Sequence, residues 1–375
     1  MLTAPCRCCK SHFLHREHIG FCGGQSNVRQ WEILNRLGLL FITGTLLRKL
    51  ASIQPVSLVA HNLSQELEMR HMHLFVRLTV SACFLASFIF GSAVVAQKPK
   101  LVLDADTANE IDDMYAIARI LKQDKFEVIA LNSTQWIHYL AEKDSVGASQ
   151  RENEAMAKLL GRDDLPLPKG SNEPMGKPWG GDEAKDSPAA QTIIKAARAA
   201  SPDKKLTVVC LGASTNLASA IRLAPEIAPS IDAYVLGFRY DLEKNVWNKS
   251  SFNIRRDLNA ADYILNCKEL SLHVMPANVA RPLTFAKEST FERHQKMGEL
   301  GAHLTAKWKA RFDDFENWVM WDLALVEAIL HPEFAATREV STPPENTQRK
   351  VMLYESIKVD EMRSDYWSTV LPESK

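Results

Sequence analysis

Cysteine is scarce in most of the chain. Five of the seven cysteines lie within the first 83 of 375 residues, and beyond them only Cys210 and Cys267 remain. The larger part of the protein is therefore not built on disulfide bonds. The four cysteines between positions 6 and 22 have histidines nearby, but their spacing matches no standard zinc-finger pattern, so an unstructured leader is the preferred interpretation.

An excess of one charge sign is also missing. Lysine plus arginine equals aspartate plus glutamate at 45 each, so no overall field attracts a polyanion, and we expect no nucleic-acid partner. Internal repeats are not evident either. Since 46% of the residues are hydrophobic, the chain can form one large domain, or two smaller ones, with a real core.

The sequence has one long uncharged apolar run, residues 78–96, which follows Met72 and Arg77 and ends in small residues. This pattern predicts a signal peptide over residues 72–96, cleaved after Ala96, and hence export to a periplasmic or extracellular location. The alternative is an uncleaved membrane anchor formed by residues 78–96, because the run approaches the length of a bilayer span. Beyond this signal we expect no membrane partner.

A signal peptide should open a chain, yet this one is preceded by residues 1–71, which show neither helical nor strand periodicity. We interpret residues 1–71 as a disordered or non-native leader that arises from an over-extended reading frame, with Met72 as the true start. Amino-terminal sequencing of the natural precursor would decide this. The functional domain is then residues 97–375.

Strand and helix patterns alternate from Lys98 onward. Short apolar strands such as KLVLD, FEVIALN and KLTVVCLG are each followed by a segment with apolar residues at helical spacing. This alternation predicts an α/β fold, a mostly parallel sheet with helices on both faces. Ligands of such sheets bind at the carboxyl ends of the strands.

Five acidic residues crowd into the ten residues 104–113, at the end of the first predicted strand and the start of the next helix. Acidic side chains at a helix N-terminus can have a purely structural role, because they interact favourably with the helix dipole. This role would account for Asp112 and Asp113. It does not account for Asp104 and Asp106, because unpaired aspartates buried at a strand end are costly. Two carboxylates about 4 Å apart repel by roughly 4 kcal/mol at an effective dielectric of 20, so the cluster predicts protonation or a bound divalent cation.

The pattern of strand, D-x-D, small residues and D-D-x-x-A resembles the signature of the inosine-uridine nucleoside hydrolase family, with two extra residues between Asp106 and Asp112. Residues 211–237 are similar to that family's L-G-P-L-T-N-L-A strand, turn and helix. KNVWNKSSFNIRRDLNAA resembles its G-N-V-x-x-x-A-E-F-N-x-x-x-D-P-E-A-A loop, and VMWDLALVEAILHPEFAATREV resembles its late helix. The resemblance runs from Lys98 to about Val340 and implies a Rossmann-like nucleoside hydrolase fold.

The resemblance implies a calcium-dependent enzyme that hydrolyses the N-glycosidic bond of a ribonucleoside or related N-riboside. The implied Ca²⁺ ligands are Asp106, Asp113, Asp322 and the backbone carbonyl of Thr215, and oxygen ligands of this kind suit calcium. Asp106 is also the implied general base for the attacking water, and Asp104 supports the cluster. Relatives commonly form homo-oligomers, but no interface can be predicted from this sequence.

The resemblance further implies a ribose-binding set. Its members are Asp112, Asn132, Asn245 and Asn253. Each asparagine taken alone is more simply a turn or cap residue, but as a set in register they favour binding.

Two positions depart from the family pattern. Ser251 replaces the glutamate expected before Phe252 and Asn253, and Trp321 precedes Asp322 where the family carries histidine, the acid for the leaving base. An indole cannot donate a proton in that way. Three interpretations follow: the leaving base is activated by stacking on Trp321 or Trp247, the substrate differs from the usual nucleosides, or catalysis is lost while binding is retained. A purely structural role of Trp321 in helix packing is equally open.

Three alternatives to a standard family member stay open on the sequence. His138 can replace the missing acid, although a lone histidine is more often structural. LDADTA can be a phosphatase nucleophile motif of the haloacid dehalogenase type, which leaves Asp112 and Asp113 unexplained. Finally, the protein can be a catalytically impaired nucleoside- or ribose-binding protein of the same fold.

Overall fold

The computed structural model describes residues 97–372 and, outside that range, only Met69 and Met72. The predictions of a leader over residues 1–71 and of a signal or anchor in the apolar run 78–96 lie outside the described residues. Residues 97–372 belong to one compact unit. Among the helices in this described part, none is both long and apolar enough to cross a membrane.

Strands and helices alternate along the described chain, as the apolar spacing predicts. The strands are β1 (Lys100–Ala105), β2 (Glu127–Ser133), β3 (Leu206–Cys210), β4 (Ile231–Leu236), β5 (Arg239–Asp241), β6 (Val246–Asn248), β7 (Ser271–Met275), β8 (Thr284–Ala286), β9 (Asn317–Val319), β10 (Ala335–Ser341) and β11 (Lys350–Ile357). The α-helices are α1 (Asp112–Leu121), α2 (Ser145–Leu159), α3 (Pro188–Arg198), α4 (Thr215–Leu223), α5 (Phe252–Arg256), α6 (Leu258–Asn266), α7 (Ala277–Ala280), α8 (Lys287–His294), α9 (Gly298–Phe312), α10 (Trp321–Leu330) and α11 (Val359–Val370). Two 3₁₀ turns complete the set, Pro225–Ser230 and Pro332–Phe334.

The central sheet has seven strands in the order β10-β11-β7-β4-β3-β1-β2. β10 pairs antiparallel with β11, and every other neighbouring pair in this sheet is parallel. The prediction of a mostly parallel sheet is therefore confirmed. β1 lies between β2 and β3, so the chain leaves β1 toward one side and returns on the other, which opens a crevice at the carboxyl end of β1.

Side chains alternate between the two faces of β1, as the period of a strand requires. Leu101 and Leu103 belong to one buried apolar cluster, whereas Val102 belongs to a second one. Because both faces of the inner strands are covered, strands such as β1 and β3 are mostly apolar, which is why they read as short continuous apolar runs. Helix α10 is buried from Asp322 to Leu330 and packs against α1.

Local signals account for some element boundaries. Ser187 Oγ accepts a hydrogen bond from the backbone N–H of Ala190 at 3.2 Å, and Pro188 occupies the first turn of α3. The segment between β4 and α6 contains the β5–β6 hairpin and α5. These short elements carry no apolar periodicity by which the sequence could predict them.

Candidate active site

Asp104 lies inside the sheet near the end of β1, opposite Asn132 of β2 and Cys210 of β3. Its Oδ1 accepts hydrogen bonds from Asn132 Nδ2 at 2.8 Å and from Asn216 Nδ2 at 3.3 Å. Burial raises the pKa of this carboxyl group to about 7. Asp104 is completely buried and is not among the residues that line the cavity described below, so it is not placed to act as the nucleophile of a phosphatase, and the dehalogenase-type interpretation fails on geometry.

Asp106 follows β1 directly, and its side chain lies against the turn after β3. A Cβ atom at Gly212 would come within 2.6 Å of Asp106 Oδ1 and 2.7 Å of Thr134 Cγ2. A glycine is thus required at position 212 for the carboxyl group to occupy its place. Burial, and next the charge of Asp112, raise the pKa of Asp106 to about 7.

Two helix N-termini bring three more carboxyl groups to the same place. Asp112 and Asp113 begin α1, and Asp322 lies in the first turn of α10. One side-chain oxygen from each of the three lies within 4.8 Å of the other two. The partial positive charge of each helix N-terminus stabilises acidic groups, but by far less than three converging carboxylates repel one another.

A positive charge among these carboxyl groups would stabilise their ionised form. Burial is the largest cause that raises the pKa values of Asp113 and Asp322 well above the usual range, and neighbouring carboxylates raise them further. Within residues 97–372, Asp106 Oδ2, Asp113 Oδ1 and Asp322 Oδ1 are buried without a hydrogen-bond partner. Buried oxygens without donors are the groups a hard cation binds, so these residues fit a metal ion.

A cavity of about 220 Å³ opens onto this cluster. Six of the predicted site residues line it: Asp106, Asp112, Asp113, Asn253, Trp321 and Asp322. Asn253 Nδ2 donates hydrogen bonds to the carbonyl oxygens of Leu211 and, at 3.1 Å, of Leu236. This amide therefore joins the ends of β3 and β4 at the cavity wall. Asn132 lies beneath the wall, where it holds Asp104.

Besides Asp104 and Asn132, two further predicted residues do not line the cavity. Thr215 begins α4, and its hydroxyl donates to Asp257 Oδ2 at 2.7 Å. Between β3 and α4, the residue that lines the cavity is Leu211. Asn245 lies between β5 and β6 with a φ of 56°, and its Oδ1 accepts from the Tyr240 hydroxyl at 3.3 Å. It contributes to a different cavity, so turn formation explains it better than ribose binding.

Trp321 forms part of the cavity wall, and its indole N–H donates to the carbonyl oxygen of Ala277 at 3.2 Å. Trp247, the other predicted stacking surface, and His138, the predicted replacement acid, do not line this cavity. Trp247 donates to the Ser341 carbonyl at 2.8 Å. His138 packs its ring 5.6 Å from that of Phe252, behind the wall. Phe252 itself lines the cavity, so the aromatic surface there is formed by Trp321 and Phe252.

Three charged residues that also line the cavity have no role in the sequence predictions: Glu110, Arg239 and Arg255. Burial, and then the charges of Asp112 and Asp106, raise the pKa of Glu110 to about 8. Glu110 belongs to the run of five acids, and that density was the available signal. Arg239 lies outside the quoted motifs, and Arg255 falls on an unspecified position of the KNVWNKSSFNIRRDLNAA stretch, so neither was singled out.

The family model for inosine-uridine preferring nucleoside hydrolases matches residues 101–365. The chain belongs to this family, whose members act on N-glycosyl bonds. The resemblance seen in the acid cluster and in the three later stretches is thereby confirmed.

Individual relatives are distant. The probable uridine nucleosidase 2 of Arabidopsis thaliana is 27% identical over 193 residues, which cover 46% of this chain and 58% of that protein. The purine-preferring ribonucleoside hydrolase from Gardnerella vaginalis superposes with a TM-score of 0.56 at 18% identity, covering 72% of this chain and 98% of that one. The inosine-uridine preferring nucleoside hydrolase from Bacillus anthracis superposes with a TM-score of 0.56 at 14% identity, covering 72% of this chain and 99% of that one. These structures share the fold.

Proposed function

We propose that the protein hydrolyses the N-glycosidic bond of a ribonucleoside or related N-riboside in a calcium-dependent reaction, with Asp106 as the general base. One observation carries the proposal. Asp106 and Asp113 from the acidic run and Asp322 from the start of α10 line one cavity, and each has a buried carboxylate oxygen without a hydrogen-bond partner in the described chain.

The ion would be held by Asp106, Asp113 and Asp322. Leu211 lines the cavity and Thr215 does not, and the Leu211 carbonyl oxygen already contacts Asn253 in the cavity wall, so this carbonyl is a better candidate for the fourth protein ligand than that of Thr215. An all-oxygen set with several carboxylates matches Ca²⁺, which takes six to eight oxygen ligands. When bound, the cation neutralises the carboxylates and makes a nearby water more acidic.

Asp106 is suited to accept the proton of the attacking water. Its Oδ2 has no hydrogen-bond partner among residues 97–372, and its Oδ1 lies close to Gly212. As the bond to the leaving base breaks, positive charge develops on the ribosyl group. The surrounding carboxyl groups are fixed before the reaction, so they stabilise this charge without reorganisation.

The remaining wall of the cavity is suited to a nucleoside. Asp112 can accept hydrogen bonds from ribose hydroxyls, and Asn253 lies in the same wall. Trp321 and Phe252 present aromatic faces against which a base can stack. Since Trp321 cannot deliver a proton, stacking is the contribution that it offers to the leaving group.

The test is incubation of the purified chain and calcium with a pooled set of ribonucleosides, followed by detection of reducing sugar. We expect sugar release from at least one nucleoside, and loss of release by a factor of about 10² to 10⁴ in Asp106→Asn. Asp163→Asn, an exposed acid away from the cavity, is the matched control and should retain full activity. Release that survives in Asp106→Asn would refute the role of Asp106.

A second candidate, a ribose-binding protein without catalysis, is favoured by one observation. Trp321 occupies the position of the expected acid and its N–H is committed to Ala277. Calorimetry of the same pool distinguishes the two functions. Tight binding with no sugar released from any nucleoside would support the binding protein and would contradict hydrolysis.

A further inference from the structure

Two arginine side chains line the cavity that holds the carboxyl cluster. Arg239 is the first residue of β5 and Arg255 lies in α5, and both are exposed. In the described part of the chain, neither guanidinium group forms an ion pair or a side-chain hydrogen bond. The five acidic residues of the cavity come from other parts of the chain, namely the segment between β1 and α1, the first turn of α1, and the first turn of α10.

The backbone is strained at the residue that positions one of these arginines. Phe238 has a φ of 57° and is completely buried. A bulky residue rarely adopts this left-handed conformation, and such strained residues concentrate at functional sites. The bend lets Gly237 and Arg239 both line the cavity while the Phe238 ring stays in the core.

Serine hydroxyl groups accompany the arginines. Ser250 and Ser251 line the same cavity, and Ser251 is 4% exposed with its Oγ lacking a hydrogen-bond partner among residues 97–372. A Cβ atom at Gly237 would lie 3.7 Å from this Oγ. Ser251 therefore lies against the main chain that leads to Arg239, and its free hydroxyl can donate to a ligand.

These residues add two unpaired guanidinium groups and one free hydroxyl to the cavity wall, and none of the three has a side-chain hydrogen-bond partner in the described chain. Guanidinium groups bind phosphate through paired hydrogen bonds that neutral donors cannot match. Position 251 matters because a carboxylate there would pair with the arginines and would repel an anion. Serine does neither.

We propose that this cavity accepts N-ribosides whose sugar carries a phosphate ester, with Arg239, Arg255 and Ser251 as the phosphate-binding residues. The inference rests on the proposed function, because it names the substrate class of the same site. The substrate class is that of the nucleoside 5′-monophosphates and related ribosyl phosphates.

The charges in the cavity indicate which sugar oxygen carries the phosphate. The anomeric carbon must face Asp106, and ribose hydroxyls are the natural donors to carboxylates such as Asp112. A phosphate on the 2′ or 3′ oxygen would be held against these acids and repelled. The 5′ oxygen lies on the far side of the ring from that contact, so it can be directed to the arginines.

The first test is calorimetry of the full chain with calcium, using ribose 5-phosphate and ribose as probes. We expect ribose 5-phosphate to bind at least tenfold more tightly. Arg239→Gln and Arg255→Gln should each reduce this advantage about tenfold or more, and Ser251→Glu should abolish it. Arg198→Gln, an exposed arginine paired with Glu226, is the matched control and should leave the advantage unchanged. Equal binding of the two probes, or an equal effect of Arg198→Gln, would overturn the proposal.

The second test compares kcat/KM for nucleosides and their 5′-monophosphates. We expect the monophosphates to be preferred, and the ratio to fall in Arg255→Gln. Sugar release from nucleosides and monophosphates at equal kcat/KM would refute the phosphate site while leaving hydrolysis intact. Preferential binding of ribose 5-phosphate without any sugar release would do the reverse, supporting the phosphate site and refuting hydrolysis.

Discussion

The backbone N–H of Asp322 donates a hydrogen bond to Asp112 Oδ2 at 3.2 Å, across 210 residues of sequence. This contact joins the N-termini of α1 and α10, so the two helix ends and their acidic side chains are positioned by each other. It explains how Asp113 and Asp322 face one cavity although one lies near the start of the domain and the other near its end. The arrangement keeps like charges together, which is stable only with protons or a cation present.

A cation bound between these helix ends should stabilise the native protein. At a calcium concentration of 100 times the Kd, the free energy of unfolding should rise by about 2.7 kcal/mol. Asp322→Asn should abolish this increase, yet should raise the stability of the calcium-free protein because one repelling carboxyl group is removed. Thermal melts with and without chelator measure both effects, and Asp163→Asn serves as the unaffected control. A calcium response that persists in Asp322→Asn would argue against this ligand set.

The close approach of Gly212 to Asp106 gives a positional test of the general base. In Gly212→Ala the new Cβ would lie 2.6 Å from Asp106 Oδ1, so the carboxyl group must move. Because small displacements of a catalytic group cost about 10² in rate, we expect a loss of that size in kcat with a native circular dichroism spectrum. Wild-type kcat in this variant would show that the position of Asp106 is not critical.

The two asparagines that the resemblance assigns to ribose binding should behave differently. Asn253 lines the cavity and joins Leu211 to Leu236, whereas Asn245 accepts a hydrogen bond from Tyr240 in a hairpin turn. Asn253→Ala should reduce kcat/KM by at least tenfold. Asn245→Ala should leave it within about twofold and act mainly on stability, through the loss of a residue that tolerates positive φ. Similar losses of kcat/KM in the two variants would contradict this assignment.

His294 provides a pH-dependent contribution to stability away from the cavity. It is buried between the Tyr115 hydroxyl at 3.1 Å and Thr305 at 2.8 Å, with Trp367 against its ring. Burial lowers its pKa from 6.5 to about 4. Between these two values the unfolded chain binds a proton at this imidazole and the native chain does not, so the free energy of unfolding falls as the pH falls.

The size of that loss should be about 2 kcal/mol between pH 7 and pH 5. Urea unfolding at the two pH values, in wild type and in His294→Gln, isolates it because every other titrating group is shared. The variant should lose about 2 kcal/mol less than wild type over this interval. Equal losses would show that His294 titrates normally in the native protein.

Much of the fold could be predicted because buried parallel strands and amphipathic helices have distinct periodicities. The acid cluster could be predicted because it follows the carboxyl end of β1 and begins a helix, whereas Asp322 came from the family resemblance. The β5–β6 hairpin, Arg239 and Arg255 could not be predicted, since short polar elements carry no periodicity and no motif specifies these arginines. Thr215 and Asn245 also came from the resemblance alone, and neither lines the cavity.

The most direct measurement is a calcium titration of the metal-free chain, followed by the initial rate of reducing-sugar release from its preferred N-riboside. We expect no release without calcium, a rise that saturates at one ion per chain, and no response in Asp113→Asn. Full activity in the metal-free chain with excess chelator would contradict the proposed calcium-dependent reaction.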